Sequence, residues 1–208
     1  MRNIFMLEGS NYCGKSTVTR LIKNRLTNAT IIELHDFYYL HILKQSPQIE
    51  SLVSKKEYLS LPNSYIEKAD TYLTHRNLFT LQYCQEMKEE DILIERNFLT
   101  QMVYRDLLFG RKEHSELHPL IKGFNEQNAR LILVTASSQT IAKRINYGDV
   151  EKKEIRQRNA TQYHLTDKEV LIKKNELYNS YFDSLNSMTS ISWIPTFHRI
   201  FWNRLSIK

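Results

Sequence analysis

The sequence has few residues of the types that interrupt helices and strands or form linkers. Among its 208 residues are five glycines and four prolines, and no Gly/Ser-rich or Pro-rich linker separates one part from another. It also lacks internal repeats and low-complexity blocks. A chain of this length can bury one substantial core but is short for two. We therefore expect a single domain over residues 1–208.

Cross-linking and membrane-spanning features are also scarce. The two cysteines, Cys13 and Cys84, have no CxxC or CxxH neighbours, which leaves disulfide and zinc sites without support. The apolar run Ile4–Leu7 is far too short for the core of a signal peptide, and no stretch approaches the length that spans a bilayer. These absences favour a cytoplasmic protein in a reducing compartment, with no membrane partner.

Negative charge is in the minority. The net charge of +6 and the pI near 9.2 favour polyanionic partners, which include nucleotides as well as nucleic acids. Lysine and arginine are scattered along the whole chain. This distribution favours an ordinary solvated surface with a phosphate-binding site over a dedicated nucleic-acid surface.

Apolar runs and helical patterns alternate along the chain. Compact apolar runs predict five strands, at Ile4–Leu7, Thr30–Leu34, Ile92–Ile94, Leu131–Val134 and Ser190–Ile194. Amphipathic patterns predict helices between them. We therefore expect an α/β fold, a three-layer α/β/α sandwich with a parallel sheet of about five strands. Ligands of such sheets bind at the carboxyl ends of the strands.

A complete GxxxxGKS motif lies between the first predicted strand and a predicted helix. Such a loop turns backbone N–H groups toward phosphate oxygens, while Lys15 reaches the terminal phosphates and Ser16 offers its hydroxyl to Mg²⁺. ATP with Mg²⁺ is therefore the expected ligand pair. A glycine loop that merely turns the chain is the alternative, but it does not explain why Lys and Ser directly follow the second glycine. The residues expected to contact the nucleotide are Gly9, Asn11, Tyr12, Cys13, Gly14, Lys15, Ser16 and Thr17.

Acidic side chains follow the second predicted strand. Glu33 and Asp36 would lie at the carboxyl edge of the sheet, within reach of the phosphate loop and of an acceptor. In P-loop kinases that phosphorylate hydroxyls, a carboxylate at this place accepts the proton of the attacking oxygen. Asp36 is the first candidate for this base and Glu33 the second. An ordinary helix N-cap is the alternative for Asp36.

A charged pair ends the third predicted strand. Charged side chains such as Glu95 and Arg96 seldom pack in a hydrophobic core and are common in functional sites. Glu95 is a candidate to hold a Mg²⁺-bound water or a sugar hydroxyl. Arg96 is a candidate to neutralise charge on the transferred phosphoryl group and to contact the acceptor. A structural ion pair is the alternative.

Two further segments are candidates for closing over a site. Residues 144–162 include Arg144 and a highly charged stretch without a buried face, which predicts a lid whose Arg156 and Arg158 donate to phosphates and exclude water. A plain solvated helix is the alternative. Residues 38–77 form a candidate helical insert on the substrate side.

Several of these segments together resemble deoxynucleoside kinases and thymidylate kinases. Glu8–Thr17 resembles their EG…GKST opening, and Leu78–Tyr83 with Glu95–Phe98 resembles the helix and ERS segment of the deoxynucleoside kinases. Ser138–Ile145 and the charged stretch after it are similar to the family's lid region. The resemblance implies Mg²⁺-dependent transfer of the γ-phosphate of ATP to a nucleoside or nucleoside monophosphate. It also implies that Gln82 reads a base edge, that the lid arginines are catalytic, and that a homodimer is to be considered.

Departures from that family leave the acceptor open. Asn97 stands where the family has Ser or Tyr, and the acidic-Pro motif usual after the second strand is absent. A single Asp followed by aromatic residues, at Asp36–Tyr39, also resembles polynucleotide kinases, whose acceptor hydroxyl is carried on DNA or RNA. A non-catalytic nucleotide-binding module is the third alternative. In such a module, Glu95 and Arg96 would have no acceptor substrate to contact.

Overall fold

The computed structural model describes residues 2–26, 29–33, 63–145, 168–187 and 196–201. The candidate residues Asp36, Arg156 and Arg158 lie outside these ranges, as do most of the insert at 38–77 and most of the lid at 144–162. The phosphate loop and the Glu95–Arg96 pair lie within them.

Strands and helices alternate from the first described strand to the last. The strands are β1 (Ile4–Glu8), β2 (Ala29–Glu33), β3 (Asp91–Glu95), β4 (Arg130–Thr135) and β5 (Thr196–Phe201). The α-helices are α1 (Lys15–Lys23), α2 (Asn63–Glu86), α3 (Phe98–Phe109), α4 (His118–Glu126) and α5 (Lys168–Ser187). Residues 138–145 are also helical. Among the described residues, no helix is both long and apolar enough to cross a membrane.

The five strands form one parallel sheet in the order β2-β3-β1-β4-β5. This confirms the predicted parallel sheet of about five strands. The pairing aligns Leu7 of β1 with Glu95 of β3, and Glu33 of β2 with the same Glu95. The carboxyl ends of the three strands therefore meet at one edge.

Both faces of the sheet are buried, which confirms the three-layer arrangement. Ile4 and Met6 of β1 belong to the larger core, to which α2, α3, α4 and α5 all contribute side chains. Leu7 points to the opposite face, where it clusters with Val18 of α1 and Val134 of β4. Burial on two faces explains why the central strands are almost continuous apolar runs.

The last described strand covers residues that the sequence analysis did not assign to a strand. β5 is Thr196–Phe201 and pairs in parallel with β4, whereas the predicted run Ser190–Ile194 lies outside the described residues. His198 and Arg199 interrupt the apolar pattern of the observed strand. Pairing with a neighbouring strand stabilises a β-strand whose own sequence pattern is weak. The strand at Ser190–Ile194 stays a prediction.

Candidate functional site

The loop between β1 and α1 has a backbone that few residue types adopt. The φ angles of Gly9, Tyr12 and Gly14 are 142°, 63° and 101°. A Cβ atom added to Gly9 would lie 2.2 Å from the backbone oxygen of Val134 on the neighbouring strand β4. Gly9 is therefore required both by its backbone angle and by the close approach of β4.

The start of α1 points a positively polarised end toward the carboxyl edge of the sheet. Its N-cap Gly14 makes no side-chain capping bond, and the first turn of the helix holds no acidic side chain. The first N–H groups of an α-helix have no acceptor within the helix, and the helix dipole adds partial positive charge there. The side chain of Ser16, in that first turn, is exposed. This arrangement suits an anion such as a phosphate group.

Lys15 and Glu95 form an ion pair across this edge. The Lys15 Nζ atom lies 3.7 Å from Glu95 Oε2, and the two side chains are only 8% and 15% exposed. The hydroxyl group of Thr19, one turn further along α1, donates to the other carboxylate oxygen of Glu95. The two residues predicted from separate motifs are therefore brought together at one point.

Arg96 contacts the phosphate loop from an unusual backbone conformation. Its φ angle is 69°, in the left-handed region that non-glycine residues seldom occupy. The Arg96 backbone N–H donates to the Leu7 carbonyl at 2.9 Å, and its Nη2 donates to Asn11 Oδ1, also at 2.9 Å. Such conformations cost about 1–3 kcal/mol and cluster at functional sites. Arg96 and Asn11, predicted for the acceptor and the nucleotide respectively, are thus in direct contact.

Arg144 also reaches the phosphate loop. Its Nη1 donates to the backbone carbonyl of Tyr12 at 2.8 Å. The ring of Tyr12 packs against a small apolar cluster that includes Ile141, Ile145 and Leu171. The one predicted lid arginine within the described residues therefore supports the loop from the side of the helical segment 138–145.

Cys13 of the loop and Thr17 of α1 contribute to the packing and the backbone hydrogen bonds of this region. Cys13 is completely buried in the core on the α1 side of the sheet, and burial raises the pKa of its thiol. Its side chain contributes packing, so a nucleotide would meet only its backbone. Thr17 is half-buried, and its N–H donates to the Gly14 carbonyl at 3.1 Å.

Gln82 and Glu33 are both exposed, and the structure places them differently relative to this cluster. Gln82 is exposed on α2, where its Nε2 donates to Glu86 Oε1 at 3.0 Å, so the structure does not bring it to the phosphate loop. Glu33 is exposed at the end of β2, in register with Glu95 on the adjacent strand. It therefore lies at the predicted edge of the sheet.

The structure adds Glu8, to which the sequence assigned no role. Its side chain is fully buried, and Oε1 accepts from the Asn97 N–H at 2.6 Å and the Thr100 N–H at 3.3 Å. Oε2 accepts from the Thr100 hydroxyl at 2.5 Å. Burial raises the pKa of Glu8, while these hydrogen bonds and the nearby Arg96 charge act in the opposite direction. The available signal was an acidic residue that ends a buried strand, directly before Gly9.

A second addition is Asn175 on α5. Its Oδ1 accepts from the hydroxyls of Ser10 and Thr135 at 3.4 and 3.3 Å, and its Nδ2 donates to the Ala136 carbonyl at 3.1 Å. This buried amide ties α5 to the phosphate loop and to the end of β4. Nothing in the spacing of the motifs singles it out.

Comparisons with known proteins place this arrangement in a known fold. No family model matches the sequence, and no curated protein matches it. Among solved structures, thymidylate kinase from Candida albicans matches with a TM-score of 0.54 and 15% sequence identity, over 96% of this chain and 83% of that one. The chain has a thymidylate kinase-like fold. The YorR protein from Bacillus subtilis, solved in complex with phosphorylated GDP, matches with a TM-score of 0.47 and 17% identity, over 97% and 85% of the two chains.

The close approach at Gly9 generates a prediction about stability. Replacing Gly9 with Ala should lower the free energy of unfolding in urea by clearly more than Gly110→Ala does, because only the first adds a clash with the backbone of Val134. Gly110 is the matched control, since it also has a positive φ, 64°, at the end of α3. There the left-handed conformation alone should cost about 1–2 kcal/mol. Equal losses in the two variants would contradict the prediction.

Proposed function

We propose that this protein is an ATP-dependent phosphotransferase that moves the γ-phosphate to a nucleoside or a nucleoside monophosphate. The observation that carries the proposal is the contact of Lys15 with Glu95, 3.7 Å apart, at the carboxyl ends of adjacent parallel strands. Arg96 contacts the phosphate loop at the same edge. The thymidylate kinase-like fold supports the same activity.

The residues of the loop fit a nucleoside triphosphate with Mg²⁺. The N-terminus of α1 has neither a capping side chain nor an acidic residue in its first turn, and the Ser16 side chain is exposed. Ser16 and Glu95 offer the hard oxygen ligands that Mg²⁺ prefers, to which it adds substrate phosphates and water. When bound, Mg²⁺ would neutralise part of the charge on the phosphates.

The cationic side chains divide into a donor group and an acceptor group. Lys15 is assigned to the terminal phosphates of ATP, because it follows the loop directly and its ammonium group is held at the sheet edge by Glu95. Arg96 is assigned to the acceptor side and to the transferred phosphoryl group, where a guanidinium stabilises developing negative charge. Arg144, which supports the loop at Tyr12, is assigned to the lid together with Arg156 and Arg158.

If the acceptor is a hydroxyl group, a general base must accept its proton. The candidates for that base lie at the end of β2 and directly after it in the sequence. Asp36 remains the first candidate and Glu33 the second. Glu33 is exposed at the end of β2, one strand away from Glu95, at the edge where the acceptor would lie. A monophosphate acceptor would need no strong base, since its attacking oxygen is already ionised near neutral pH.

The proposal is tested by transfer of label from γ-labelled ATP with Mg²⁺ to a panel of nucleosides, nucleoside monophosphates and short oligonucleotides. We expect label on a free nucleoside or monophosphate. Lys15→Ala should lower the rate by about 100-fold or more, as loss of a single charge-stabilising donor does. The exposed Lys112, which follows the end of α3, provides the matched control, and Lys112→Ala should stay within about twofold of the wild type, as surface changes away from a site usually do.

Two results would contradict this assignment. If label appeared on no member of the panel, the protein would not be a kinase of nucleic-acid components. If label appeared only on the oligonucleotides, the acceptor would be a hydroxyl carried on DNA or RNA.

The candidate base generates a second prediction. With a hydroxyl acceptor, Asp36→Asn should lower kcat by about 100-fold or more, because general-base catalysis contributes roughly that much. With a monophosphate acceptor, the same change should leave kcat within about threefold of the wild type, because no proton needs to be removed. Glu33→Gln, measured on the same acceptor, is the paired variant. A large loss in Glu33→Gln without one in Asp36→Asn would reverse the assignment of the base.

A further inference from the structure

Glu8 directs all of its described hydrogen bonds to the first turn of α3. The donors are the N–H groups of Asn97 and Thr100 and the Thr100 hydroxyl. A buried carboxylate is costly unless such donors surround it. The chain segment directly before this turn is Glu95–Arg96, the charged pair of the proposed site. Glu8 therefore holds the end of a segment that carries the proposed chemistry.

Two successive backbone N–H groups on either side of Arg96 are tied to two successive residues of β1. The N–H of Arg96 donates to the Leu7 carbonyl at 2.9 Å, and the N–H of Asn97 donates to Glu8 Oε1 at 2.6 Å. Between these bonds the φ angle of Arg96 is 69°. A strained conformation persists only where surrounding contacts determine it. The Glu8 carboxylate is one of the contacts that do so.

We propose that Glu8 is a positioning residue, whose carboxylate fixes the backbone of Arg96 and so holds the Arg96 guanidinium against Asn11 of the phosphate loop. This inference rests on the proposed function, because it assigns Glu8 an effect on phosphoryl transfer through Arg96. It links β1 directly to the acceptor-side arginine. It also explains why a charged side chain ends a strand that is otherwise buried and apolar.

The hydrogen-bond chain continues to α5. The Thr100 hydroxyl lies 2.6 Å from the Tyr178 hydroxyl. The Thr100 hydroxyl has a single hydrogen, which it donates to Glu8, so the Tyr178 hydroxyl donates to Thr100. Thr100 therefore touches Glu8 directly, whereas Tyr178 acts one step away. Substitutions at Thr100 and at Tyr178 therefore remove a direct and an indirect partner of Glu8, respectively.

A double-mutant cycle between Glu8 and Arg96 tests the proposal. Glu8→Met keeps a side chain of similar length but removes both accepting oxygens. We expect it to lower kcat by about 10- to 100-fold and to leave the KM for ATP within about threefold, because an interaction that serves the transition state is lost. In an Arg96→Ala background, Glu8→Met should cost less than about threefold, because residues that act through one another are not additive.

Two further variants distinguish a positioning role of Glu8 from a general loss of structure. Thr100→Val removes one donor but keeps Glu8 and its bond from Asn97, and should lower kcat by about three- to tenfold with the same non-additivity. Tyr178→Phe leaves every direct contact of Glu8 in place and should stay within about threefold of the wild type. If Glu8→Met and Thr100→Val each cost as much in the Arg96→Ala background as in the wild type, the role of Glu8 is only structural and the proposal is overturned.

Amide hydrogen exchange supplies a readout that does not depend on phosphate transfer. Glu8→Met should speed exchange at Asn97 and Thr100, whose N–H groups lose their acceptor, while the exchange of α4 stays unchanged. Unchanged exchange at both residues would overturn the proposal. If the wild-type protein labels no acceptor, the proposed function has failed, and the exchange result alone decides whether Glu8 holds this backbone.

Discussion

The parallel pairing of β1 with β3 is the constraint on which the rest of the site depends. It places Leu7 opposite Glu95, so that the phosphate loop, which follows β1, begins beside the acid–arginine pair that ends β3. The ion pair of Lys15 with Glu95 and the bond from Arg96 to Asn11 both cross this boundary. A shift in register would separate both pairs, because side chains alternate between the two faces of a strand.

Charges at this edge are kept buried by pairing them. Lys15 and Arg96 are 8% and 9% exposed, and Glu8 is fully buried beneath them. Removing a charged group from water is favourable only when partners replace its hydration. The same side chains that would serve phosphates and an acceptor therefore also hold the loop, β3 and α3 in one arrangement. A change in any one of these charges should affect stability and activity together.

Much of the fold and part of the site follow from local patterns in the sequence. The strand before the loop, the GxxxxGKS motif and the Glu95–Arg96 pair are each visible within a few residues. The partners of Glu8 are not, because Thr100 lies 92 positions away and meets it only through the sheet. Gln82 is a different case, and its contact with a base edge stays a prediction. A single sequence gives its helix, but the neighbouring elements decide which face of that helix is exposed.

Calorimetric titration with ATP, ADP and AMP in the presence of Mg²⁺ would test the central claim, that the loop after β1 binds the terminal phosphates of a nucleotide. The account predicts that AMP binds at least about 100-fold more weakly than ATP, since it forfeits charge-assisted hydrogen bonds worth about 1.5–3 kcal/mol each. ADP should lie between the two. Equal affinities for ATP and AMP would contradict the account, because recognition would then rest on the nucleoside and not on the phosphate loop.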